Sequence, residues 1–308
     1  MTQRVLSGPK QTSQKSWNRS QSASLSQQDH NQSGAEIMFD TAMDVPPVNG
    51  PMTTTRFSVR VGERTLSADV HIPSMPAPDT PPLLALHGIS RRASVMAKAF
   101  ASHCEAKGQV LITPRFSRKQ WPHFQRIGSY RPDRSLLAIL ALVEQMGVAN
   151  TNKVDLFGYS GGAQLAHRFA MLYPQRVASL HIAAAGWYCL PDFTQPFPMG
   201  LAPAEKPLKM NVPALAHNQL RNYLELKLRV YIGAEDQHRD DALRKGHAID
   251  NVQGRHRLAR ARHYCRAFRA AAEARGITPN LSLTELPNCL HSFADCAKAG
   301  LTKLVCEA

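Results

Sequence analysis

The sequence predicts an α/β protein: an open, mostly parallel sheet of eight strands with helices on both faces and a short lid-like insertion. Three observations carry this. The run at 83–86 is continuous and apolar, as in a strand covered on both faces, and 154–157, 177–182 and 226–232 also read as strands. Segments of helical periodicity separate them, and that alternation marks parallel strands joined by crossovers. Finally, residues 153–167 read as a strand, a turn Gly158-Tyr159-Ser160-Gly161-Gly162, and a helix with Leu165, Phe169 and Leu172 on one face.

Taken in order, residues 1–50 are rich in Ser, Gln and Asn, poor in large apolar residues and without periodicity. Such a stretch buries too little surface to offset its ordering entropy, so a disordered polar tail is expected. The folded domain is expected over 51–308. Phe57, Val59 and Val61 alternate, Gly62 turns the chain, and Leu66, Ala68, Val70 and Ile72 alternate again, which predicts a hairpin with one buried face. A proline-rich connector over 73–82 leads into the strand at 83–86, which ends in His87-Gly88-Ile89.

A helix over 93–107 and a strand over 110–113 follow. Between Pro114 and Pro132 runs a loop carrying Arg115, Arg118, Lys119, Trp121, Phe124 and Arg126, before a helix with Leu136, Ile139, Leu140 and Val143 inward. Residues 187–222, with six prolines and the aromatic residues Trp187, Tyr188, Phe193 and Phe197, read as neither strand nor clean helix. A long insertion with that apolar content is expected as a packed lid. Beyond the strand at 226–232 lies Gly233-Ala234-Glu235-Asp236. An arginine-rich helix is expected over 255–275, with Leu258, Ala261, Cys265, Phe268 and Ala272 buried and Arg257, Arg260, Arg262, Arg266 and Arg269 largely on the solvated side. A last strand at 281–286, a loop with His291 and a closing helix over 293–305 complete the chain.

Composition narrows the function classes. The six cysteines show neither CxxC nor zinc-type Cys/His spacing, so no metal is implied, and most are expected as small buried hydrophobes. No apolar run reaches membrane-span length and no early stretch resembles a secretory signal, so a cytoplasmic protein is expected. The net charge of +14 lies wholly beyond residue 50 and attracts anions. No nucleic-acid-binding module is recognisable, however, and no specific nucleic-acid partner is expected. The oligomeric state has no signature in the sequence.

Chemistry is carried by groups at the carboxyl ends of the expected strands, where ligands gather in open sheets of this class. Ser160 follows the fifth expected strand, Asp236 the seventh and His291 the eighth. A serine hydroxyl needs a base within hydrogen-bond reach, and the base needs a carboxylate to orient it. Ser, Asp and His in this chain order supply those roles. Asp192 is a rival for the acid, Glu235, Asp240 and Asp241 weaker ones, and His238 and His263 are rivals for the base.

With His87-Gly88 after the third expected strand, Gly158-Tyr159-Ser160-Gly161-Gly162 after the fifth, Gly233-Ala234-Glu235-Asp236 and the His291 loop, the chain resembles the α/β-hydrolase family over about residues 55–306. Gly161-Gly162-Ala163-Gln164, Tyr173-Pro174-Gln175-Arg176-Val177 and Ala185-Gly186-Trp187 are similar to the polyhydroxyalkanoate-depolymerase and feruloyl-esterase branch. The resemblance implies Ser160 as nucleophile, Asp236 as acid, His291 as base, and an oxyanion hole from the Gly161 and Ile89 amides. It also implies His87 as a shaper of the loop beside that hole.

The expected activity is hydrolysis of a small-molecule carboxylic ester through an acyl-enzyme, with no cofactor. Two other classes remain open: an acyltransferase using the same triad, and a non-catalytic binding protein using the basic helix and the arginine-rich loop. Trp187, Tyr188, Trp121 and Phe124 are the pocket candidates, and Arg115, Arg118, Lys119 and Arg126 favour an anionic leaving group or acid moiety.

Overall fold

The hairpin predicted from alternating Phe57, Val59, Leu66 and Val70 is the antiparallel end of a larger sheet. The computed structural model describes residues 37–44, 51–128, 130–204 and 210–308. Its strands are β1 (Ile37–Asp44), β2 (Thr53–Val61), β3 (Arg64–Ile72), β4 (Leu83–Leu86), β5 (Leu111–Arg115), β6 (Val154–Tyr159), β7 (Val177–Ala183), β8 (Lys227–Gly233) and β9 (Leu281–Leu286). They form one sheet in the order β1-β2-β3-β5-β4-β6-β7-β8-β9. β1, β2, β3 and β5 are joined antiparallel, and every pair from β5 to β9 is parallel.

Eight of these are the expected strands. β1 is additional: it lies within the span expected as a polar tail and pairs with β2, Ile37 opposite Val61 and Asp44 opposite Thr55. Strand β2 otherwise presents an open edge of unpaired backbone groups, and edge pairing of that kind leaves little mark in hydropathy. Residues 1–36 and 45–50, the rest of the expected tail, lie outside the described residues.

The helices are α1 (Ala93–Lys107), α2 (Pro132–Gln145), α3 (Gly161–Leu172), α4 (Val212–Leu224), α5 (His247–Gln253), α6 (Arg257–Glu273), α7 (Phe293–Lys298) and α8 (Leu301–Glu307). Three features differ from expectation, the first being α5, which falls in a stretch where no helix is expected. α4 lies inside the insertion read as irregular, its start set by Asn211, whose side chain accepts from the Ala214 amide, with Pro213 in the first turn. The single closing helix is two, divided at Gly300, whose φ of 94° is incompatible with a continuous helix. Residues 205–209 of the insertion lie outside the described residues.

β4 to β8 supply the centre of the core, with Leu84, Leu86, Leu156, Phe157, Leu180, Ile182 and Val230 at 1% exposure or less. All six cysteines are buried and free. Among the described residues no helix is long and apolar enough to cross a membrane.

Candidate active site

The site begins where β6 hands over to α3. Ser160 sits at that junction with φ 53° and ψ −111°, a conformation that a non-glycine residue adopts only when its surroundings over-determine it. Its amide donates to the Ala183 carbonyl at 2.8 Å, which ties the turn to the end of β7. The turn fits only because residue 162 lacks a side chain: a Cβ at Gly162 would lie 1.9 Å from the Leu86 carbonyl oxygen. Glycine at 162 therefore lets α3 pack against the end of β4.

His291 comes from the loop after β9 and Asp236 from the loop after β8. The His291 Nδ1–H donates to Asp236 Oδ2 at 2.8 Å, and its Nε2 lies 3.1 Å from Ser160 Oγ, in position to accept the hydroxyl proton. The structure thus brings Ser160, His291 and Asp236 into one hydrogen-bonded chain. Asp236 is fully buried, while Ser160 and His291 retain some exposure. The two supporting loops touch at Gly233, where a Cβ would meet the Cys289 carbonyl oxygen at 2.2 Å, so glycine is needed in Gly233-Ala234-Glu235-Asp236 as well. Tyr159 stacks on the His291 ring at 5.6 Å between centroids.

The Gly161 amide opens α3, where no carbonyl one turn earlier is available to it. The Ile89 amide nitrogen lies 3.3 Å from the point a Gly161 Cβ would occupy, so the two amides are neighbours beside Ser160. His87 stands behind them. Its Nδ1–H donates to the Gly88 carbonyl and its Nε2 accepts from the Phe116 amide at 3.1 Å, an arrangement that requires a neutral ring. Burial pushes its pKa down to about 4. His87 is thus a fixed brace for the Gly88-Ile89 turn.

The rivals for these roles lie elsewhere. Asp192 Oδ1 accepts from the amide and hydroxyl of Thr194 in a local turn. Asp240 pairs with Arg257 at 2.7 Å, and Glu235, His238 and Asp241 are exposed. Of the aromatic pocket candidates, Phe124 borders the Ser160 turn: its ring edge is 3.6 Å from the point a Gly161 Cβ would occupy.

Trp121 and Tyr188 belong to the core. Trp121 donates its indole N–H to the Thr65 carbonyl at 2.9 Å, and Tyr188 stacks on Tyr264 with centroids 4.3 Å apart. A loop position suggests a pocket wall, but each ring finds an interior partner first. Trp187 is 5% exposed and lies against Arg168 and Arg244. Arg115 is likewise committed, to Asp69 at 2.8 Å.

Arg257 and Arg260 were expected on the solvated side of the basic helix and are instead buried. Arg257 Nη1 reaches Asp236 Oδ1 at 3.4 Å and Asp240 Oδ2 at 2.7 Å. Arg260 donates to Asp250 and to the carbonyls of Gly186 and Arg244, tying the segment after β7 to the loop after β8. The signal was in the spacing. Arg257, Arg260 and Tyr264 recur at i, i+3 and i+7, on the stripe that carries Ala261 and Phe268.

No protein-family model matches the chain, and no curated protein does. Solved structures do. The chain is similar to a poly(3-hydroxybutyrate) depolymerase from Bordetella parapertussis, with 24% identity over 82% of this chain and 90% of that one, at a TM-score of 0.69. Poly(aspartic acid) hydrolase-1 from Sphingomonas sp. KT-1 matches at 23% identity over 79% of this chain and 94% of that one, TM-score 0.67. An S-formylglutathione hydrolase from Agrobacterium tumefaciens matches at 16% identity over 88% and 98%, TM-score 0.53. The fold they share with this chain is the one its residue pattern predicts.

Proposed function

We propose that this chain, built on the α/β-hydrolase fold, is a serine hydrolase that cleaves a carboxylic ester through an acyl-enzyme. The observation that carries this is the continuous path Ser160 Oγ to His291 Nε2, and His291 Nδ1 to Asp236 Oδ2, at 3.1 and 2.8 Å. The enzymes with which the fold is shared, described as a depolymerase and as hydrolases, support the same reading.

Ser160 attacks the ester carbonyl as His291 Nε2 takes its proton. Asp236 holds the ring with Nδ1 protonated and faces the imidazolium that forms. The oxyanion of the tetrahedral intermediate accepts from the Gly161 and Ile89 amides, donors already in place before charge develops. His291 returns its proton to the departing alcohol, leaving an acyl-Ser160 ester. Water then repeats the sequence and releases the acid. The strained turn keeps the Ser160 hydroxyl forward of the strand, so the attack geometry precedes substrate binding.

Labelling with a fluorophosphonate probe tests this. The wild type is expected to label, Ser160→Ala to lose all labelling, and His291→Ala to label far more slowly. Turnover of short para-nitrophenyl esters should fall about 10⁴-fold or more in each variant. A folded wild type that neither labels nor turns over esters overturns the reading.

A further inference from the structure

Along α3 from the nucleophile, Ser160, Gln164 and Arg168 recur every four residues and share one side of the helix. Arg168 begins about 12 Å along the axis from Ser160, but a long helical side chain leans toward the N-terminus. Its Nη1 donates back to the Gln164 carbonyl at 2.8 Å, which places the guanidinium a turn nearer the serine. The whole side chain is buried.

This arginine is unlike the other buried ones. Arg257 pairs with Asp236 and Asp240, and Arg260 with Asp250. Arg168 has no carboxylate partner among the described residues, and its Nη2 is buried without any hydrogen bond. An uncompensated buried charge is strongly unfavourable, so a position that keeps one is suited to an anion arriving from outside.

More positive charge surrounds it. The Trp187 ring has the Arg168 guanidinium 4.4 Å from its centroid and that of Arg244 4.8 Å away. The positive charge of Arg126, two residues beyond the Phe124 ring that borders Gly161, lowers the pKa of both arginines, after burial. Burial first, and then the charges of Arg126 and Arg244, bring the Arg168 pKa down to about 10. Neither exposed arginine has a carboxylate partner among the described residues. The assembly is held from behind: Arg260 grips the Gly186 and Arg244 carbonyls at 2.6 and 2.8 Å, fixing Trp187 and Arg244 relative to each other.

We propose that Arg168 and Arg244, both stacked on Trp187, with the charge of Arg126 beside them, form an anion-binding subsite that selects esters carrying a carboxylate a few bonds from the scissile carbonyl. The inference rests on the hydrolase reading for its reaction and on the arginine geometry for its ligand. Two unpaired guanidiniums at the rim draw the carboxylate in, and the buried one, with its forked donors, completes its partners.

The first arm compares kcat/KM for the mono-para-nitrophenyl ester of glutaric acid and for para-nitrophenyl pentanoate, which have equal acyl chain lengths. The wild type should favour the charged ester, chiefly through KM, and the preference should shrink as ionic strength rises. Arg244→Gln and Arg126→Gln should each lower the charged-to-neutral ratio about tenfold, with Arg244→Lys retaining part of it. The second arm titrates glutarate into Ser160→Ala by calorimetry, where no turnover is needed. Salt-sensitive binding there, lost in Ser160→Ala/Arg244→Gln, supports the subsite even if the wild type cleaves no ester. Equal turnover of the two esters, or no glutarate binding by folded Ser160→Ala, overturns it even if the enzyme is an active esterase. Arg168→Gln enters only as a further variant, because it removes a buried side chain that also packs on Trp187.

Discussion

Asp236 is shared between two donors, the His291 ring on Oδ2 at 2.8 Å and the Arg257 guanidinium on Oδ1 at 3.4 Å. Arg257 also binds Asp240 through both terminal nitrogens, at 2.7 and 2.9 Å. Its hydrogen bonds hold the Asp240 carboxyl below the usual carboxylate range. The carboxylate that accepts from His291 is therefore itself held from behind by a buried arginine.

Arg257→Met should consequently be among the most damaging substitutions outside the reacting groups. Breaking a buried pair by removing one partner costs about 3–5 kcal/mol, and the rotation it permits in Asp236 should lower kcat more than it raises KM. Asp240→Asn, at a carboxylate still 35% exposed, should be much milder. Urea unfolding and steady-state kinetics of the two variants check this, and equal losses would contradict it.

Backbone strain at Ser160 predicts a separation of stability from activity. Replacing it with glycine relieves a φ of 53° while removing the hydroxyl. Ser160→Gly should be catalytically dead yet more stable than Ser160→Ala by about 1 kcal/mol, the strain relieved being partly offset by the freer unfolded chain. Equal unfolding midpoints for the two variants would mean that the turn is unstrained.

Gly162→Ala should fail to give soluble folded protein. The new methyl would meet the Leu86 carbonyl oxygen at 1.9 Å and its carbon at 2.5 Å, both backbone atoms of β4. Neither moves without disrupting the sheet centre, so a loss of more than about 4 kcal/mol is expected. A soluble variant with wild-type melting behaviour would refute the close approach.

Acid should destabilise the fold well above the carboxylate range. Burial pushes the pKa values of His71 and His87 down to about 4 and that of His181 to about 3, against an ordinary value near 6.5. The unfolded chain therefore binds these protons first as the pH falls, and stability decreases from about 6.5 down to the folded values. Each histidine contributes a slope of up to about 1.4 kcal/mol per pH unit in that window, and none above it. Denaturant midpoints that stay constant between about pH 7 and pH 5 would contradict this.

Much of the architecture was legible because its signals are local. A continuous apolar run announced β4, short largely apolar stretches announced β6 and β7, and alternation announced the β2–β3 hairpin. The Gly158-Tyr159-Ser160-Gly161-Gly162 turn located the sharp handover from β6 to α3, since the glycine at 162 answers to a close approach that no other residue tolerates. Position after an expected strand favoured Asp236 over Asp192, and His238 stood too close to the Asp236 loop to rival His291.

What tertiary structure decided depends on partners distant in sequence. β1 exists because β2 leaves an edge to pair with, and an edge is a property of the sheet rather than of residues 37–44. Trp121 and Tyr188 left the pocket because Thr65 and Tyr264 were waiting in the interior. Arg257 and Arg260 turned inward because Asp236, Asp240 and Asp250 fold over them. A charge is read as solvated until its partner is known, and that partner appears only when the chain closes on itself. For the same reason Arg168, a buried arginine without a carboxylate partner among the described residues, is visible in the fold and silent in the sequence.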